Sequence, residues 1–216
     1  MVHKSKFDRY SKQALSTVYS EPETPNFHLP LIHQAVDNVL PLIMLAKDSK
    51  VLDIGCGQGT FMKYMVQKGY DDLIGVTLNI DDVNACEDEG FKTLCSDFTD
   101  LDVQDESIDL IWCRHALEHS PYPIFSLMEF NRILKQDKYL YVEVPAPNID
   151  VRCHENNSNH YSVFGDRMWI SLFLKTGFRI VQYQQIEFEL IIDGNKVREL
   201  FYSFILRKER ALPCNQ

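Results

Sequence analysis

The sequence has no stretch of roughly 18 consecutive apolar residues, the minimum for a membrane-spanning helix. Its first residues, MVHKSKFDRYSKQ, lack the apolar core of a secretory signal, so the cytoplasm is the expected location. Six cysteines are scattered with no C-x-x-C pair, which excludes a disulfide framework in favour of reduced thiols. Basic residues are in deficit: 22 Lys and Arg against 31 Asp and Glu give a formal charge of −9. Nucleic-acid affinity comes mostly from basic contacts to phosphate, so a nucleic-acid partner is not expected. The one basic run, Arg207 to Arg210, reads as the solvated end of a last strand. Internal repeats and low-complexity segments are absent too.

What is present suits one domain with a sizeable core: 216 residues, 45% of them hydrophobic and 25% charged. Residues 1–28 are polar and punctuated by Pro22 and Pro25. They read as an N-terminal arm, a candidate lid, ahead of a single domain over 29–216. Apolar spacing predicts a helix over 31–46, which Pro41 should bend or end.

VLDIGCGQG, Val51 to Gly59, follows. An apolar run ends in an acidic residue, then glycines stand at 55, 57 and 59, and TFMKYMVQ has helical spacing. That is strand, tight glycine turn, helix. Glycine lets the backbone approach a ligand without a Cβ, and a helix start offers N–H groups to it. The spacing is G-x-G-x-G, whereas the dinucleotide fingerprint is G-x-G-x-x-G.

Strand candidates then alternate with helices. Strands are expected over 72–78, from Phe91 to Asp97, over 108–117 and over 138–145; helices over 80–89 and 124–134. Such alternation implies a parallel sheet covered on both faces, with ligands at the carboxyl ends of its strands. Residues 146–162 break the rhythm, and a long irregular segment in a compact domain is usually functional. A helix over 163–176 contains Trp169 and Phe173, four apart and read as core. Two long strands flank Asp193-Gly194, a hairpin signal.

These residues resemble the class I S-adenosylmethionine-dependent methyltransferases. The resemblance covers roughly residues 31–209 and rests on VLDIGCGQG, on Ser96-Asp97-Phe98 and on IDLIWCRHALEHSPYP at 108–123, in that order. It implies a Rossmann-like, doubly wound α/β fold with a seven-stranded sheet, parallel except for a C-terminal antiparallel hairpin. It implies S-adenosylmethionine as cofactor, with S-adenosylhomocysteine as product. By the resemblance, Asp53, Gly55, Cys56, Gly57, Gln58 and Gly59 hold the methionine end. Thr77, Leu78 and Asn79 lie at the ribose, Ser96, Asp97 and Phe98 at the adenine, and Arg114 and His115 near the sulfur. Family members commonly carry an acidic ribose ligand where Thr77 stands, a departure that Asn79 or Asp81 is placed to compensate.

Methyl transfer from an activated sulfonium needs mainly alignment and water exclusion, with a base only where the acceptor must lose a proton. The candidate catalytic groups are His115, His119, His160 and Tyr161, with Glu143 and His154 beside them and Glu118 a structural anchor. The spacing of Cys153, His154 and His160 fits no zinc pattern, so no metal site is expected. The expected acceptor is a small or medium-sized molecule, or a lipid-like one, since GVTL resembles a subgroup acting on lipids and sterols. Two rivals are a non-catalytic binding or regulatory protein on the same fold and an NAD-dependent oxidoreductase. The glycine spacing opposes the latter.

Overall fold

The computed structural model describes residues 14, 28–147, 154–192, 195–210 and 212. Helix α1 is His28–Ile43, followed by β1 Val51–Ile54, α2 Thr60–Gln67, β2 Leu73–Thr77, α3 Ile80–Asp88 and β3 Lys92–Cys95. Next come β4 Ile108–Arg114, a 3-10 turn at Leu117–His119, α4 Pro123–Ile133, β5 Leu134–Pro145 and a second 3-10 turn at His154–Asn156. Helix α5 Asp166–Lys175 and strands β6 Phe178–Ile192 and β7 Asn195–Lys208 complete the order.

The seven strands lie in the order β3-β2-β1-β4-β5-β7-β6. The first five run parallel, and β7 enters antiparallel between β5 and β6. This is the seven-stranded Rossmann-like sheet expected from the sequence. Asp193-Gly194 lies outside the described residues, but the register Ile192↔Asn195 closes the hairpin around it.

Strand alternation sends side chains to two cores. One face buries Ile111, Cys113, Leu140 and Val142 against Leu127 and Phe130 of α4 and Trp169 and Phe173 of α5. Trp169 and Phe173 are core, as expected. The other face buries Leu110, Trp112 and Tyr141 under Val36 and Val39 of α1 and Phe61 and Met65 of α2. Phe61 and Tyr141 both stack on Trp112, with ring centroids 4.5 Å and 4.1 Å from its ring. Each such side chain removed from water contributes about 1.5–3 kcal/mol.

Boundaries differ from expectation: β4 ends at Arg114 rather than 117, where the chain passes to the 3-10 turn, and β3 spans only Lys92–Cys95. Helix α1 starts earlier and ends at Ile43, two residues past Pro41, where Met44 turns to φ +46°. Strand β5 begins at Leu134 rather than 138, because Ile108 of β4 pairs with Leu134 ahead of a register shift. Helix α5 begins only at Asp166. The basic run is not a wholly solvated strand end as expected: Lys208 is buried, and its Nζ donates to Glu106 and to the Leu134 carbonyl. Among the described residues no helix is long and apolar enough to cross a membrane.

Candidate active site

The order β3-β2-β1-β4 makes the four segments expected to hold the cofactor neighbours at one sheet edge-to-centre run. Their carboxyl ends carry, in turn, Ser96 to Phe98, Thr77 to Asn79, Gly55 to Gly59, and Arg114 with His115. All parallel strands point the same way, so these residues converge without needing to be near in sequence.

The glycine turn is left-handed at Gly55, Gly57 and Gly59, with φ of +71°, +50° and +82°. Side chains rarely adopt that region, so the shape itself demands glycine. A Cβ on Gly55 would sit 2.8 Å from the Cβ of Ala116. A Cβ on Gly57 would meet nothing within 4 Å. The first glycine thus seats the turn against the β4 exit, and the second opens onto space. Beneath the turn Asp53 is buried, and its Oδ2 has no hydrogen-bond partner. Burial pushes its carboxyl well above the usual carboxylate range, with the Cys86 thiol adding to the effect. An orphaned buried acceptor below an open backbone cradle fits a ligand that brings its own N–H donors.

The neighbouring positions are partly engaged in their own turns. Cys56 points inward, its Sγ 3.5 Å from the Gly57 carbonyl, while Gln58 is half-buried. Thr77 Oγ1 accepts the Asn79 N–H, Asn79 Oδ1 caps α3 by accepting the Asp81 N–H, and Leu78 offers its carbonyl to Cys95. Ser96 Oγ donates within the following turn. Asp97 accepts both the N–H and the hydroxyl of Thr99, which is the turn geometry of a short Asx motif. Phe98 packs on the core, its ring 6.1 Å from that of Phe130.

A charged cluster occupies the ends of β4 and β5. Arg114 Nε lies 2.9 Å from Glu143 Oε1, with both side chains nearly buried. His115 stands between two carboxylates: Nε2 is 3.1 Å from Glu143 Oε1, and Nδ1 is 3.4 Å from Glu118 Oε1. The Arg114 and His115 contacts to Glu143 are charge contacts rather than aligned hydrogen bonds. Tyr141 donates to Glu143 Oε2 at 2.6 Å. Burial alone would raise the Glu143 carboxyl, but the Arg114 charge and then His115 and Tyr141 bring it down to about 2. Burial and Arg114 press the His115 imidazole down; the two carboxylates outweigh them and raise it. His115 has φ +51°, a left-handed backbone rare outside glycine, held by its N–H on the Glu143 carbonyl at 2.9 Å.

The remaining candidates lie in the 154–162 segment. Tyr161 and Ser162 both donate backbone N–H to the Glu118 carbonyl, and Ser162 Oγ donates to Ser120. His119 Nδ1 donates to the Asn159 carbonyl, and His160 Nδ1 to the His154 carbonyl. His154 pairs through Nε2 with the buried Glu199, 2.9 Å away. Tyr161 hydroxyl donates to the Ala14 carbonyl of the N-terminal arm. Cys153 lies outside the described residues. Sequence spacing gave no reason for a metal site within 153–160. The fold instead brings Glu118, His119 and His160 together, across 42 residues of chain.

A cavity of about 300 Å³ adjoins this cluster. Arg114, Tyr141 and Glu143 form its floor, Gln34 and Asn38 of α1 one wall, and Gln184 and Gln185 of β6 another. Gln34, Asn38 and Gln184 were not singled out in the sequence, because on a surface helix or an edge strand an amide reads as solvent-facing; the fold brings α1 and β6 to the same cavity. Gln185 borders the cavity, but its amide turns to the other sheet face and donates to the Tyr183 hydroxyl.

A family model described as a methyltransferase domain matches residues 28–183. The chain belongs to that methyltransferase family. An uncharacterized protein of Methanocaldococcus jannaschii is 30% identical over 164 residues, 76% of this chain and 69% of that protein. A sterol methyltransferase-like protein of Botryococcus braunii is 31% identical over 111 residues, 47% of this chain but 28% of that protein. The solved structure of an S-adenosylmethionine-dependent methyltransferase from Archaeoglobus fulgidus matches with a TM-score of 0.67 at 19% identity. It covers 94% of this chain and 100% of its own. The fold is therefore that of a class I methyltransferase, and S-adenosylmethionine is the cofactor. The glycine cradle and the orphaned Asp53 oxygen fit it.

Proposed function

We propose that this methyltransferase is catalytically active and moves a methyl group to a small polar acceptor bound between α1 and β6. The observation that carries this reading is the cavity lined by Arg114, Glu143, Gln34, Asn38 and Gln184. A guanidinium, a carboxylate and three amides offer both donors and acceptors to a polar molecule. A sterol-sized apolar acceptor would leave those groups unpaired, at about 1–3 kcal/mol each.

When bound, the cofactor supplies an activated methyl on a positively charged sulfur. The chain's part is to hold, align and dry the reactants. Asp53 would hold the amino group and the Gly55–Gly59 backbone the methionine end. Thr77 and Asn79 would hold the ribose and Asp97 the adenine. Arg114 and Glu143, locked in their ion pair, present a fixed charge pattern to the acceptor. His115, wedged between Glu118 and Glu143, relays a proton leaving an oxygen or nitrogen acceptor. Tyr161 holds the Ala14 carbonyl; the rest of residues 1–27, the candidate lid, lies outside the described residues. His119 acts through the loop it holds.

The test is transfer from methyl-labelled S-adenosylmethionine into fractionated cell extract. Label in the polar small-molecule fraction, with S-adenosylhomocysteine formed in step, is the expected result. Label in the lipid fraction would overturn the polar acceptor. Cofactor binding with no S-adenosylhomocysteine from any fraction would favour the non-catalytic binding protein.

A further inference from the structure

The geometry points to a divalent transition-metal site formed by Glu118, His119 and His160. One ligand atom from each lies within 4.8 Å of the other two. Two imidazoles and one carboxylate form the donor set that suits Fe2+, Mn2+, Co2+ or Zn2+.

Two further observations point to a cation rather than to chance proximity. Glu118 Oε2 is buried and has no hydrogen-bond partner, although Oε1 faces His115. An unpaired buried carboxylate oxygen is costly, and a cation satisfies it. The rings, moreover, are held the way metal-binding imidazoles are held. A backbone carbonyl can only accept, so Nδ1 of His119 and Nδ1 of His160 each carry the proton they give to Asn159 and His154. In the neutral rings the lone pair is then on Nε2, and the second bond fixes each ring's orientation. His160 Nε2 also accepts from Asn157 Nδ2 at 3.2 Å, a long contact that an ion would replace.

The donors come from two segments stapled to one another. Tyr161 and Ser162 donate N–H bonds of 2.8 Å and 2.9 Å to the Glu118 carbonyl, and Ser162 Oγ bonds the Ser120 carbonyl. His119 and His160 rings stand edge to face, 4.8 Å apart. Around an ion, donors about 2.1 Å from the metal lie about 3 Å from one another, so small side-chain rotations complete the site. Three protein donors leave at least one position for water or an oxygen ligand. The site neighbours the cofactor end, since Ala116, two residues before Glu118, touches Gly55.

The test reads metal without turnover, so its failure is separate from failure of the methyl-transfer reading. Chelator-treated full-length protein is titrated with Co2+ and Zn2+ by calorimetry and visible absorption. One equivalent per chain is expected, with affinity at least about 100-fold lower in His119→Ala and in His160→Ala. Circular dichroism checks that both variants fold. Should either fail to fold, the wild type decides by proton NMR of the Co2+ form. Two exchangeable, paramagnetically shifted signals should appear, from the two Nδ1–H groups kept on their carbonyls. Absence of stoichiometric binding, binding undiminished in folded variants, or a Co2+ form without those two signals would each overturn the site.

Discussion

Gly55 and Ala116 touch so closely that a single added methyl group has no place between them, since a Cβ on Gly55 would come to 2.8 Å from the Ala116 Cβ. This contact fastens the glycine turn after β1 to the turn after β4. It separates the roles of two glycines that look alike in sequence. Gly55→Ala adds a clash to a left-handed φ and should cost about 2 kcal/mol or more of stability. Gly57→Ala adds only the φ strain, about 1–2 kcal/mol, because its Cβ meets nothing within 4 Å. On the proposed placement of the cofactor's methionine end in that open space, Gly57→Ala should weaken S-adenosylmethionine binding by at least about tenfold. Urea melts and calorimetric titration check both. Equal stability loss with unchanged cofactor affinity would reject the division.

Asp53→Asn tests a stability-for-function exchange. The carboxyl is buried, its Oδ2 has no partner, and burial raises it well above its usual range. Replacing it by a neutral amide of the same shape should leave the apo protein as stable as before, or more so. Losing a charge-assisted bond of about 1.5–3 kcal/mol to the cofactor's amino group should weaken binding by about 10- to 100-fold. Thermal unfolding without ligand and calorimetry with it give the two readings. A destabilised apo protein with intact affinity would show that Asp53 is structural instead.

The fold and the glycine turn were legible in the sequence for a common reason. Their demands are local or periodic: Gly55, Gly57 and Gly59 need left-handed backbone, and β1, β2, β4 and β5 need apolar strands between helices. The acceptor side was not legible, because it is made by packing. Gln34, Asn38 and Gln184 share one cavity only once α1 and β6 are brought together by the fold. Glu118 and His160 meet only because the 157–162 segment folds back on the β4 exit. Spacing within 153–160 therefore carried no sign of the Glu118, His119 and His160 cluster. Asp97 and Asn79 illustrate the converse: a polar residue at a strand end serves its own turn as readily as a ligand.

Tyr161→Phe should loosen the N-terminal arm. The lost bond runs from its hydroxyl to the Ala14 carbonyl, 2.8 Å away, and Tyr161 itself is half exposed. One hydrogen bond of about 1 kcal/mol corresponds to roughly a fivefold shift toward the state without the Tyr161–Ala14 contact. Limited proteolysis within residues 1–27 should accelerate by about that factor, and KM for the acceptor should rise more than kcat falls. Cleavage at the wild-type rate would mean that the arm is held by something else.

Acid should act on this protein through Glu143. Its folded carboxyl is held at about 2, below the ordinary 4.5, by Arg114 and His115 against the cost of burial. A depressed carboxyl contributes stability that is fully present above the unfolded value and is lost as pH falls through the folded one. The window is therefore about pH 4.5 down to 2, and the loss across it should be about 3 kcal/mol from this one group. Glu143→Gln removes that slope and also leaves Arg114 without its buried partner, which should cost about 3–5 kcal/mol at neutral pH. Urea unfolding of both proteins from pH 7 to pH 2.5 measures the two effects together. The variant should start lower and fall less steeply below pH 4.5. Parallel curves for the two proteins would mean that the Arg114–Glu143–His115 cluster does not set the acid limit.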